Sequence, residues 1–132
     1  MTRFAPVSLM MVPMLFGCAL FFPKETRYLR GAEGRAGQDE VVRNLGVPMM
    51  KIIGPEGKES WVYQVREQDP GMRWTSTGLW CDEYVLTFDE HSILRRWTHK
   101  SQFHGGELMP RYCVPGGAME GITATSSIEY HR

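Results

Sequence analysis

The segment Trp61-Val62-Tyr63-Gln64-Val65-Arg66 sets Trp61, Tyr63 and Val65 on one side of an extended strand. A period of two with large rings on one side calls for a sheet with a covered face, because a one-residue slip would expose all three. Tyr84-Val85-Leu86-Thr87-Phe88 alternates in the same way. Asp89-Glu90-His91-Ser92 then reads as a hairpin loop, with Ile93 to Thr98 as the returning strand. Met49 to Ile53 is a shorter apolar run, joined to Trp61 through the turn Gly54-Pro55-Glu56-Gly57. Gln38 to Leu45 is the cover. Val41, Val42 and Leu45 share one face at helical spacing, and Asp39 and Glu40 sit in the first turn, where the helix dipole favours acids. Gly46 takes the cap position and Pro48 prevents continuation.

This order predicts an α+β fold, with one or two short helices packed on a small antiparallel sheet of three or four strands. Lys24 to Arg30 reads as a short helix with Tyr28 and Leu29 as its apolar contacts, and Gly31, Gly34 and Gly37 loosen the chain after it. Between the first two clear strands, Glu67 to Asp82 reads as a long loop carrying Trp74 and Trp80. From Gly105 onward Gly, Pro, Ser and Thr predominate, and an irregular tail pinned only by Cys113 is expected. The division is therefore a signal segment at 1–17, a tether and approach at 18–37, a folded domain at 38–104 and an irregular tail at 105–132.

The N-terminus gives the address. Phe4 to Phe16 is an uncharged run behind Arg3, and Leu15-Phe16-Gly17-Cys18 closes it. This resembles the lipobox of bacterial lipoproteins: an aliphatic residue, a tolerated position, a small residue, then a cysteine that is alkylated by a diacylglyceryl group and becomes the mature N-terminus. The competing reading is an uncleaved anchor, since Phe4 to Phe22 is uncharged and just long enough to span a bilayer. Pro6, Pro13 and Gly17 weaken a lone spanning helix, which favours the lipoprotein. Ala19, not Asp, follows the cysteine, and by resemblance to sorting in enteric bacteria this directs the protein to the outer membrane, on its periplasmic face.

Lys and Arg number 15 and Asp and Glu 15, so no basic excess supports many phosphate contacts, and nucleic acid is not an expected partner. With Cys18 taken by the lipid, Cys81 and Cys113 remain, and an even pair in an oxidising compartment reads as a disulfide. The two do not form a C-x-x-C redox motif. His91, His99, His104 and His131 lack ligand spacing, so no metal site is expected. Asp89-Glu90-His91-Ser92 holds acid, base and hydroxyl in a row, but neighbours in one turn do not face each other as a triad does. The Gly54–Ser60 and Gly31–Gly37 stretches fit neither a phosphate loop nor a dinucleotide fingerprint. No catalytic residue and no cofactor are expected. Trp74 and Trp80 are the candidate partner surface, against the plainer reading that they cover the sheet.

From about Arg35 to Lys100 the order of features resembles the SmpA/OmlA (BamE-like) family of small outer-membrane lipoproteins. Val41-x-x-x-Leu45-Gly46-x-Pro48 is similar to the family's helix end, Trp61-Val62-Tyr63 to its aromatic strand, and Leu86-Thr87-Phe88-Asp89 with Ile93-Leu94 to its last hairpin. Arg35, Ala36 and Gly37 depart from the family's usual helix opening. The resemblance implies a non-catalytic scaffold or accessory subunit of the envelope, with the machine that inserts β-barrel proteins as its partner. The alternative is a lipid-anchored, periplasm-facing module that binds a ligand or inhibits an enzyme.

Overall fold

α2 spans Gln38–Leu45, the residues that the helical period marks, and Gly46 ends it with its N–H bonded to the Val42 carbonyl. α1 precedes it at Lys24–Ala32, two residues longer than expected. The computed structural model describes residues 22–118 and the short strand 128–129, so the Cys18 lipidation site and the signal segment lie outside the described residues. Among the described residues no helix is long and apolar enough to cross a membrane.

The strands are β1 (Met50–Ile53), β2 (Glu59–Asp69), β3 (Gly78–Phe88), β4 (Leu94–Gly105) and β5 (Ile128–Glu129). They form one antiparallel sheet in the order β4-β3-β2-β1-β5, in which β5 adds two residues to the free side of β1. Two helices on four principal antiparallel strands make the expected α+β fold. A single 3-10 turn at Pro55–Gly57 joins β1 to β2.

The register assigns the two faces. Trp61 lies opposite Leu86, Tyr63 opposite Tyr84, Tyr84 opposite His99, and Leu86 opposite Trp97. This face carries the main core: Trp61, Tyr63, Tyr84, Leu86, Phe88 and Leu94 pack with Leu29, Ala32, Ala36 and Val41 of the helical layer. Trp61 and Phe88 meet at 4.7 Å between ring centroids, and the Trp61 indole N–H donates to Glu59 Oε1 at 2.8 Å. The Tyr63 hydroxyl donates to the Gly46 carbonyl at 3.0 Å, tying the exit of α2 to β2. Burial pushes the phenol pKa of both Tyr63 and Tyr84 up, so each stays neutral and serves as a hydrogen-bonding group.

Three boundaries differ from expectation. Leu29, Ala32 and Ala36 are fully buried, so the stretch read as tether contributes α1 and its following turn to the core. Leu29 and Ala32, with Thr26 one turn before them, give α1 a buried stripe despite Gly31, and Ala36 joins it from the turn that follows. β2 and β3 stay paired as far as Asp69 and Gly78, which shrinks the long loop to residues 70–77 and puts Trp80 within β3. Glu67, Gln68 and Asp69 are polar on both faces, so the ladder continues where the hydrophobic pattern has ended. β4 extends to Gly105 for the same reason, past His99, Lys100, Ser101 and Gln102.

Candidate functional site

The second face of the sheet carries Leu79, Cys81 and Glu83 of β3, and residues 106–118 cross it without helix or strand. This strap has four fixings. Cys113 and Val114 pack with Leu79 and Cys81. His104 Nε2 lies 2.7 Å from the Cys113 carbonyl oxygen. The Lys100 ammonium donates to the Gly116 carbonyl at 2.6 Å, and the Ala118 N–H donates to Glu83 Oε1 at 2.7 Å. Over the described residues 106–118 the tail is therefore held at several points and not by Cys113 alone.

Glu83 is the side chain that sequence reasoning missed. It is 2 % exposed, and its carboxylate accepts from Ala118 and from the Gln64 amide at 3.2 Å. An acid at position 83 on the inward side of Cys81-x-Glu83-x-Val85 was the available signal. Gly117 lets the strap pass directly over it, because a Cβ there would sit 2.6 Å from Glu83 Oε1 and 2.8 Å from the Val114 carbonyl oxygen. Cys81 and Cys113 come together as expected, both buried, and are free thiols in this structure. Burial first, and the Cys81 thiol second, push the Cys113 thiol up to about 12.

The two tryptophans lie on different elements. Trp80 is 42 % exposed on the helix-bearing face of β3, its ring 5.0 Å from Phe103 of β4. Phe103 in turn lies flat over Gly78, where a Cβ would meet its ring at 2.6 Å. Trp74 is 88 % exposed at the apex of the β2–β3 connection, next to Met72 at 81 %. That apex is tightly built. The Thr75 N–H bonds the Met72 carbonyl at 3.1 Å, the Met72 N–H bonds Thr75 Oγ1 at 2.8 Å, and the Gly71 N–H bonds Asp69 Oδ1 at 2.9 Å. Gly71 has φ of 72°, and a Cβ there would fall 2.7 Å from the Thr75 carbonyl oxygen. The Gly106 N–H bonds the Thr77 carbonyl at 2.8 Å, so the loop after β4, with exposed Leu108 and Met109, leaves the sheet beside the Trp74 loop.

On the helix-bearing face, a groove of about 440 Å³ opens beyond the start of α1, lined by Phe22, Glu25, Val65, Glu67, Asp82 and Tyr84. At its side His99 stacks on Tyr84 at 4.4 Å with its Nε2 2.6 Å from Asp82 Oδ1. One ring face is covered and one nitrogen is engaged, so the pair ties β3 to β4. The Asp89–Ser92 turn is a polar hairpin loop, as expected: Asp89 accepts from the Ile93 and His91 N–H groups, both at 2.9 Å, and from Arg95 Nε at 2.6 Å. The Ile93 N–H, then Arg95, hold the Asp89 carboxyl below the usual carboxylate range. No family model, curated protein or solved structure matches the chain.

Proposed function

We propose that this chain is a non-catalytic lipoprotein of the outer membrane, held on its periplasmic face by acyl chains on Cys18. It acts as a scaffold or accessory subunit for envelope proteins, and β-barrel assembly is the process that the SmpA/OmlA resemblance implies. The observation that carries the protein-contact part is the free edge of β4. β4 is an outermost strand of the sheet, and beyond Leu94, whose backbone is taken by Gly34 and Ala36, its outer side pairs with no other described strand. An extended segment of a partner can add to such an edge through main-chain hydrogen bonds. Arg95, Arg96 and Lys100 on this strand, and the register shift at its start, disfavour pairing of two copies and favour a partner of acidic or neutral character.

Two measurements test this. Mass spectrometry of the mature protein should find residues 1–17 lost and lipid mass on Cys18; an intact, unmodified N-terminus would remove the lipoprotein reading. A photo-crosslinking residue at position 98, in the middle of the β4 edge, should capture envelope proteins in living cells, with barrel-assembly subunits among them. Capture of a soluble enzyme alone would favour the inhibitor reading, and no protein adduct from any β4 position would end the scaffold proposal.

A further inference from the structure

We infer that the loop end of the sheet, with Met72 and Trp74 on one loop and Leu108 and Met109 on the other, seats in the acyl–headgroup boundary of a phospholipid bilayer. The inference rests on the lipid-anchor reading of Cys18 and names the surface that the anchor brings to the membrane.

The length of the tether carries the argument. Because α1 is docked in the core, only the stretch from Cys18 to Phe22, and not all of residues 18–37, separates the acylation site from the fold. The chain enters the structure at Phe22, which lies with Val65, Glu67 and Asp82 in the groove. Four residues of fully extended chain reach about 14 Å, so a lipid on Cys18 lies within that distance of Phe22. α1 then runs away from the loop end, because its N-terminal Thr26 bonds the Tyr84 hydroxyl and the turn after it bonds Leu94 at the opposite end of the sheet. Phe22 therefore lies at the loop-side end of α1. From Glu67 to the end of β2 is two residues, about 7 Å of strand, and the loop apex projects beyond that. A domain held this closely turns its loop end to the bilayer.

That end is built for such contact. Trp74, Met72 and Met109 are more than four-fifths exposed, and the turn hydrogen bonds fix the Trp74 apex outward. Arg73 lies between Met72 and Trp74, and Arg111 follows Met109 by two residues. Apolar tips flanked by arginines suit an interface, where the tips enter the acyl boundary and the guanidinium groups stay at the phosphates. Asp69 and Glu107 balance them, so burial of apolar surface drives the contact, not net charge.

The test uses full-length lipidated protein reconstituted into phosphatidylcholine vesicles, with and without bromine on the acyl chains. Bromolipid should quench a part of the tryptophan emission that Trp74→Phe removes, because Trp61 is buried in the core and Trp80 and Trp97 lie within β3 and β4, not at the loop apex. A Met72→Asp, Met109→Asp variant should still float with the vesicles and keep its near-ultraviolet circular dichroism, but lose the Trp74 quenching. Quenching in the wild type should persist in 0.5 M salt, where the Debye length falls to about 4 Å and attraction between exposed charges is largely screened. Protein that floats while Trp74→Phe quenches like wild type overturns the docking and leaves the anchor standing. Protein that neither floats nor carries lipid on Cys18 overturns the anchor and the docking together. Unquenched Trp74 with position 74 crosslinking to an envelope protein in cells makes these loops a protein surface and overturns the lipid assignment.

Discussion

The two faces of this sheet are closed by different means. One is covered by α1 and α2, and its contacts are apolar: Trp61 on Phe88, with Leu29, Ala32 and Val41 from the helical layer. The other is crossed by a strap without regular structure, fixed by two thiols, a buried carboxylate and two further bonds to carbonyl oxygens. Apolar burial is non-directional and accumulates with area, whereas the strap depends on a few particular atoms. Large-to-small changes in the first face should therefore unfold the domain, while changes at the strap should release one segment from a sheet that persists.

The largest expected effect is on the helix-covered face. Trp61→Ala removes the central ring of the core and should cost about 3–5 kcal/mol. Denaturant titration followed by far-ultraviolet circular dichroism measures it, and the transition should stay cooperative. A loss below about 1 kcal/mol would mean that this face is not where stability resides.

Joining Cys81 to Cys113 comes next, with the opposite sign. The bridge closes a loop of roughly 30 residues and should stabilise by about 3–4 kcal/mol in the chain-entropy model if unstrained. The comparison is between oxidised protein and a Cys81→Ser, Cys113→Ser variant in the same titration. In the reduced protein, Cys113 keeps its proton well above pH 9, so alkylation at pH 8 should be slow until the strap opens. The sign follows from the raised value: the neutral buried thiol favours the folded strap below its ordinary 9.0, and that contribution fades as pH rises towards about 12. Free, rapidly alkylated thiols in protein taken from the periplasm would show that the strap is neither bridged nor closed there.

Glu83→Ala should cost about 1–3 kcal/mol, because it leaves the Ala118 N–H and the Gln64 amide without their acceptor. Its signature is local. Hydrogen exchange should rise in residues 106–118 and much less in β2 and β3. Uniform loss of protection would tie the strap to global folding and remove the contrast between the faces.

How much was legible follows the same division. α2 could be read to the residue because Val41, Val42 and Leu45 repeat at helical spacing and Gly46 and Pro48 supply a stop. The facing aromatics Trp61 and Tyr63 were legible from alternation. The far halves of β2 and β4 were not, since polar residues on both faces carry no period, and the part of β3 that pairs with them opens on Leu79, Trp80 and Cys81, apolar on both faces and so equally without alternation. The strap was illegible for a further reason. Its order comes from contacts with Cys81, Glu83, Lys100 and His104, none close in sequence to its far end, and a Gly- and Pro-rich composition says nothing about such contacts. The cysteine pair was the exception, because counting alone brought Cys81 and Cys113 together.

The smallest effects belong to the loop end, where the two tryptophans read together from the sequence should separate. Trp80 packs at a tilt against Phe103, and aromatic pairs contribute about 0.5–1.5 kcal/mol beyond their burial, so Trp80→Ala should lower the melting temperature measurably. Trp74 touches little of its own fold at 88 % exposure, and its turn is held by backbone groups and Thr75. Trp74→Ala should therefore fall within about 0.5 kcal/mol of wild type. A double-mutant cycle in thermal unfolding decides the matter, since independent positions add. Additive effects with all the loss at Trp80 leave Trp74 as a side chain placed for something outside the domain. A loss at Trp74 equal to that at Trp80, or strong coupling between them, would instead make both rings part of one internal cluster and return the loop end to the protein's own packing.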